Sequence, residues 1–257
     1  MGAVLIISYR RKFTFLHCPK TAGSSINLAL APHLGPLDII LGAQRERLQM
    51  GMRPNLRARL DTFQTRRFSA ALTAMGMRSQ QTRRILSLQD KKYHRHFGPL
   101  VDHPTATQVR RFDERAWRRH FKFTFVRNPY ARMASLYFYL TRKSDPPRME
   151  FQEFLCRLKD GDDLFKKWSH LVSTWSIYTI DDQIAVDFVG RYENLDADFA
   201  SLCEHLNIPG QSLKQTKVGP RYNYCELYDE NTRLLVGQLC GSEIEHFGYR
   251  FDGPLSD

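Results

Sequence analysis

A three-layer α/β fold around a central parallel sheet of about four or five strands is the architecture this sequence predicts. Two strand-loop-helix units and one fact of composition carry that reading. Residues 12–17 read as a buried strand, followed at once by Pro19-Lys20-Thr21-Ala22-Gly23-Ser24-Ser25 and a helix-forming run. Phe121-Lys122-Phe123-Thr124-Phe125-Val126 alternates apolar and polar residues as a strand does, and it runs straight into Arg127-Asn128-Pro129-Tyr130 and a second helical pattern. The 257 residues are 42% apolar and 25% charged, enough to bury one substantial core, so residues 1–257 read as a single domain.

The first loop has the chemistry of an anion site. Small residues leave backbone amides exposed to converge on an anion, the following helix adds the positive end of its dipole, and Lys20 supplies a mobile full charge. Lys20, Thr21, Ala22, Gly23, Ser24 and Ser25 are therefore the candidate anion-binding residues, with a tight structural turn as the plainer alternative. The loop is not a Walker A motif, because Lys20 precedes its only glycine, Gly23. Cys18, beside the loop, reads as a small packing residue in preference to an activated thiol, and His17 as packing at the strand end.

Between the two units lies a strongly basic stretch. Residues 43–96 hold 13 Lys or Arg against three acidic residues, a balance of +10 out of the chain's +11. Leu56, Leu60 and Phe63, then Leu72 and Met75, recur at helical spacing, so the stretch is expected to form amphipathic helices with basic outer faces, inserted at about 43–96. A solvated face is one reading. An anionic acceptor such as an acidic glycan, or peripheral contact with an acidic membrane, is another. Nucleic acid ranks last, since aromatic stacking platforms are sparse among these cations.

In the second unit, Asn128 is a good N-cap and Pro129 a good first helical residue, which puts Ser135 about two turns into the helix. Arg127 falls at the carboxyl end of its strand, where open α/β sheets bind ligands. Taken alone, Arg127 could be a strand-end ion pair and Ser135 a hydroxyl bonding back to its own helix. Arg132 reads as a solvated helix residue or a support behind the site. Further on, Phe151, Phe154, Leu155 and Leu158 mark one buried helix face, Asp181-Asp182 suggests a hairpin, and residues 195–206 and 230–240 read as helices.

At this point the sequence resembles a known family. His17-Cys18-Pro19-Lys20-Thr21-Ala22-Gly23-Ser24-Ser25 is similar to the 5′-phosphosulfate loop, and Arg127 with Ser135 to the 3′-phosphate motif, of sulfotransferases that use 3′-phosphoadenosine-5′-phosphosulfate (PAPS). The carbohydrate sulfotransferase branch and its bacterial relatives are the nearest likeness. His103-Pro104-Thr105-Ala106-Thr107, residues 187–195, Tyr228-Asp229-Glu230 and Phe247-Gly248-Tyr249 resemble the rest of the family.

The resemblance implies a P-loop-like sulfotransferase fold and PAPS as donor, with adenosine 3′,5′-bisphosphate as product. Lys20 would then be catalytic as well as donor-binding, Arg127 and Ser135 would hold the 3′-phosphate, and Lys217 and Arg221 would close over the nucleotide as weaker candidates. The acceptor would be a hydroxyl of a carbohydrate or glycolipid. A general base must take its proton: His103 is the first choice, His96 and His94 the next, and Glu150 a carboxylate alternative. No metal is required, because lysine and loop amides can replace the clamp that magnesium provides in kinases.

Five cysteines without a Cys-x-x-Cys pair argue against a disulfide framework and a zinc site, and no apolar run reaches the roughly 18 to 20 residues of a membrane span. The expectation is a cytoplasmic, bacterial protein. A nucleotide-dependent kinase, and a non-enzymatic basic protein that binds anionic glycans or membranes, are the alternative functions.

Overall fold

Strand pairing in the computed structural model builds one five-stranded sheet from β1 (Val4–Ser8), β2 (Phe13–Phe15), β3 (Ile39–Gly42), β4 (Phe121–Val126) and a strand at Phe188–Arg191, in the order β3-β1-β2-β4 and then Phe188–Arg191. The structure describes residues 4–42, 51, 53–63, 78–98, 101, 103–142, 149–163, 166–169, 171–209, 213 and 223–251. The sheet departs from the expected all-parallel arrangement at one strand. β1 runs antiparallel to both its neighbours, joined to β2 by a tight turn at 9–12 in which Lys12 takes a left-handed φ of 55°. A four-residue connection is too short for a parallel crossover and permits only antiparallel pairing, which is why a short hairpin displaces the parallel pattern here.

Every residue of β1, β2 and β3 is buried, as expected for strands covered on both faces. Alternate side chains serve the two faces. Leu5, Ile7, Leu16, Cys18, Ile39 and Leu41 meet Tyr93, Phe97, Val109 and Trp117 on one side. Val4, Ile6, Phe13, Phe15, Phe123 and Phe125 meet Ile26, Leu30, Phe199 and Leu202 on the other. Helix α1 (Gly23–Leu30) therefore covers the second face, while α2 (Leu56–Asp61), α3 (Arg78–Phe97), α4 (Ala106–Phe112) and α5 (Glu114–Arg119) build up from the first. Part of the basic stretch is integral to the core, since Leu86 and Tyr93 of α3 are 1% and 2% exposed.

The expected outward face of α2 is reversed. Pro54, Ala58 and Thr62 are buried, and Leu56, Leu60 and Phe63 are exposed. Helical spacing identifies a stripe but not which side of it the protein covers, and small residues let α2 lie close against α3. Leu72 and Met75 fall outside the described residues.

Helix α6 (Pro129–Thr141) begins as the sequence predicts: Asn128 Oδ1 accepts the Tyr130 N–H at 3.1 Å, and Pro129 takes a first-turn position. The helix α7 (Phe151–Asp160) buries Phe151, Phe154, Leu155 and Leu158 against α6. Short helices α8 (Lys166–Ser169) and α9 (Trp175–Tyr178) lead into the hairpin of β5 (Thr179–Ile180) and β6 (Gln183–Ile184), whose turn residues Asp181 and Asp182 both take left-handed φ values. The last sheet strand, β7 (Phe188–Arg191), accommodates the Phe125 ring only because Gly190 has no side chain: a Cβ there would lie 2.3 Å from it. Helices α10 (Leu195–His205), α11 (Glu230–Leu239) and α12 (Gly241–Phe247) complete the chain. Among the described residues no helix is long and apolar enough to cross a membrane.

Candidate active site

Because β2, β4 and β7 are parallel and adjacent, the segments after them emerge at one edge of the sheet. These are the 18–22 loop, Arg127-Asn128 and Tyr192-Glu193. Hydrogen bonds knit the edge together. Arg127 Nη1 donates to the Lys20 carbonyl at 3.3 Å, the Asn128 N–H donates to Glu193 Oε1 at 2.7 Å, and Asn128 Nδ2 donates to the Arg250 carbonyl at 2.8 Å. The Arg127 guanidinium also lies over the Tyr192 ring, 4.1 Å from its centroid. Two motifs 107 residues apart in sequence thus share one site.

The loop is wound to present donors. Lys20 and Ala22 both hold left-handed conformations, φ 67° and 61°, which non-glycine residues rarely adopt and which cluster where backbone amides must face a ligand. Ala22 is the N-cap of α1 and supplies no side-chain cap to the helix N-terminus. Thr21, fully buried, turns its hydroxyl inward to the Cys18 carbonyl at 2.8 Å, so it braces the loop with its side chain and leaves its amide for a ligand. Ser24 is half-buried and Ser25 buried in the first turn.

Gly23 is required by its neighbour. A Cβ on Gly23 would sit 2.0 Å from His17 Nε2. The His17 ring cannot swing away, because it is packed beside Phe15, stacked on His103 with centroids 5.0 Å apart, and accepts the Val4 N–H at Nδ1. Gly23→Ala is therefore expected to cost about 1–3 kcal/mol of stability by overpacking, read as a lower urea midpoint. His17→Ala in the same chain should recover most of that loss; an additive double variant would locate the strain elsewhere.

Burial, then the neighbouring His103 and Lys20, lower the His17 pKa well below its ordinary value, so His17 is neutral at pH 7. Cys18 is a packing residue: burial pushes its thiol up to about 12, and its Sγ lies 3.3 Å from Thr124 Oγ1. Such a thiol is inert.

His103, 5% exposed, places Nδ1 at 2.6 Å from the His17 carbonyl. A carbonyl can only accept, so Nδ1 carries the proton and Nε2 of the neutral ring carries the lone pair that a base needs. His96 lies elsewhere. Its ring packs on Phe112, at the other end of α4 from His103, roughly 10 Å along a seven-residue helix. His94 is exposed on α3, and Glu150 is exposed at the N-cap of α7. Lys217 and Arg221 lie outside the described residues.

Ser135 is half-buried on α6, one turn before Tyr139, whose ring lies 4.6 Å from Lys20 Nζ. Ser135 and Tyr139, four residues apart, occupy one helix face, so that face turns toward Lys20. Neither Tyr139 nor Tyr192 is among the candidates read from sequence. The four-residue step from Ser135, and the strand-end position of Tyr192 beside Arg127, are the signals that mark them.

Arg132 belongs to the interior and not to solvent. Its side chain is 1% exposed, donating to the Leu171 and Val172 carbonyls and pairing with Glu243 at 2.9 Å. The residue supports α6 from within the core, where its charge also acts on Cys18 at the start of the loop.

Lys20, the open start of α1, Arg127 and Ser135 are an arrangement suited to a ligand with two separate anionic groups. Arg127 Nε is buried with no hydrogen-bond partner among the described residues. The chain is 30% identical over 90 residues to an uncharacterized protein of Archaeoglobus fulgidus, a match spanning 34% of this chain and 68% of that protein. No solved structure matches the chain. The sulfotransferase family model matches residues 4–249, nearly the whole sequence, and this chain belongs to that family.

Proposed function

We propose that the protein transfers a sulfuryl group from PAPS to a hydroxyl of a carbohydrate or glycolipid, using a P-loop-like core. The observation that carries this reading is the bond from Arg127 to the Lys20 carbonyl, which ties the candidate 3′-phosphate residue to the candidate 5′ loop. In the reaction, the acceptor oxygen forms a bond to sulfur as the bond from sulfur to the bridging phosphate oxygen breaks. The electron pair leaves on that oxygen, and the acceptor proton passes to His103 Nε2.

Lys20 neutralises the charge that builds on the departing oxygen, and the amides of residues 21–25 hold the 5′ end. Arg127 and Ser135 take the 3′-phosphate, Arg127 through the guanidinium that already rests on Tyr192. The basic 43–96 stretch would draw in an anionic acceptor. Five free cysteines fit a reducing cytoplasm.

Incubation with radiolabelled PAPS and a panel of acidic and neutral glycans tests the proposal. Label should move to at least one glycan with stoichiometric release of adenosine 3′,5′-bisphosphate. His103→Asn, whose amide can still donate to the His17 carbonyl, should lower kcat about a hundredfold while leaving bisphosphate binding unchanged. Transfer that persists at the wild-type rate in His103→Asn would remove this residue as the base, and transfer of phosphate from ATP in place of sulfate would replace the reading with a kinase.

A further inference from the structure

Helix α2 is turned outward for an element of a soluble core. Leu56, Leu60 and Phe63 expose 48%, 56% and 63% of their surface, while Pro54, Ala58 and Thr62 face the protein. At 100° per residue Leu56 and Leu60 fall within about 40° of each other on the side opposite Ala58, and Phe63 follows just past the helix end. Leu37, 50% exposed, sits in the turn that anchors this helix: the Arg57 N–H donates to the Pro36 carbonyl at 2.9 Å and Asn55 Nδ2 to the Asp38 carbonyl at 2.7 Å. Four of the five exposed large apolar side chains among the described residues are thus gathered at one place; the fifth, Leu234, is on α11. Such clustering marks an interaction site.

Cations border the ridge. Arg59 is exposed on α2, Arg53 is exposed just before it, and Lys92 of the adjoining α3 reaches α2 at Asp61. The acidic residue of α2, Asp61, is engaged by Lys92 at 2.7 Å and by Arg57 at 3.2 Å. The field outside is therefore positive. A soluble acidic glycan would use the cations but has nothing to cover leucine and phenylalanine. An anionic bilayer uses both, because the apolar side chains enter the acyl boundary while arginine and lysine heads remain among the phosphates.

We propose that α2 and Leu37 form a docking surface for an anionic lipid bilayer. The inference stands on this ridge alone and is independent of the donor and acceptor assigned above.

Co-sedimentation of the full chain with phosphatidylcholine vesicles, with and without phosphatidylglycerol, tests it against Leu60→Gln/Phe63→Gln, which removes the ridge without changing charge. Wild type should bind the phosphatidylglycerol vesicles, more weakly at high salt, and should largely ignore phosphatidylcholine alone. The double variant should bind roughly tenfold more weakly or less with an unchanged melting temperature, and Leu234→Gln should bind as wild type does. Equal binding by the double variant would assign the attraction to charge without the ridge. No association with anionic vesicles would turn the ridge over to an acidic protein partner, and a lowered melting temperature would make Leu60 and Phe63 core residues; each result overturns the proposal.

Discussion

Lys20→Ala is expected to lower kcat by roughly 10²- to 10³-fold, about 3–4 kcal/mol of barrier, while changing stability little. The asymmetry follows from where the side chain sits. Its backbone is held in the left-handed region by the loop, and alanine inherits the same φ of 67° at the same cost, so the substitution adds no strain. The ammonium lies over Tyr139, a contact worth roughly 0.5–1 kcal/mol at a half-exposed site. Charge developing on the departing oxygen needs far more than that. Lys20→Arg should also be slow, since a planar fork on a different stem does not put a point charge at the same position. Single-turnover consumption of PAPS alongside a thermal melt separates the effects. A variant with wild-type turnover would remove Lys20 from the chemistry, and one that melts early would make it structural.

Glu243→Ala should be the most damaging substitution away from the reacting groups, costing about 3–5 kcal/mol in denaturant unfolding. Arg132 and Glu243 have side chains 1% and 4% exposed, and they pair at 2.9 Å. Burial, the largest single effect, acts against the guanidinium charge, but the Glu243 carboxylate together with Cys240, Cys18 and Tyr178 outweighs it and holds the Arg132 pKa above its ordinary value. Glu243 has further duties: its Oε1 accepts both the N–H and the hydroxyl of Thr174. Removing the carboxylate strands a buried guanidinium and two buried donors. Replacing both partners, as Arg132→Met with Glu243→Leu, leaves no stranded charge and should cost clearly less than the single-variant sum. Additivity in that cycle would show that the two residues do not act as a pair. The consequence for the site is indirect: Arg132 holds α6, and α6 presents Ser135 and Tyr139.

The loop and the strand ends were more legible in the sequence than the sheet topology was. Lys20 and Arg127 could be placed because strand alternation, a small-residue loop and an Asn-Pro helix start are local signals, and parallel strands bring such ends to one edge. The antiparallel β1 was not legible: residues 4–7 are continuously apolar, a pattern that fits a buried strand of either direction. Arg132 looked like a solvated helix residue because its partner lies 111 positions away in the sequence. The α2 stripe was visible, but its orientation depends on the small face that α3 accepts. His17 packs at the strand end as read from the sequence, but only the three-dimensional contact explains why the position of Gly23 admits no side chain. Of the histidines considered as base, His103 is set apart by the His17 carbonyl that fixes its tautomer, a partner 86 residues distant.

The central claim is that Arg127 and the Lys20 loop hold one nucleotide bearing phosphates at both its 3′ and 5′ positions. Titration calorimetry of adenosine 3′,5′-bisphosphate against 5′-AMP and ATP, with wild type and Arg127→Ala, addresses it most directly. The account predicts a strong preference of wild type for the bisphosphate, and its loss in Arg127→Ala with weak 5′-AMP binding retained. Equal binding of all three nucleotides by folded wild type, or a preference that survives Arg127→Ala, would contradict it.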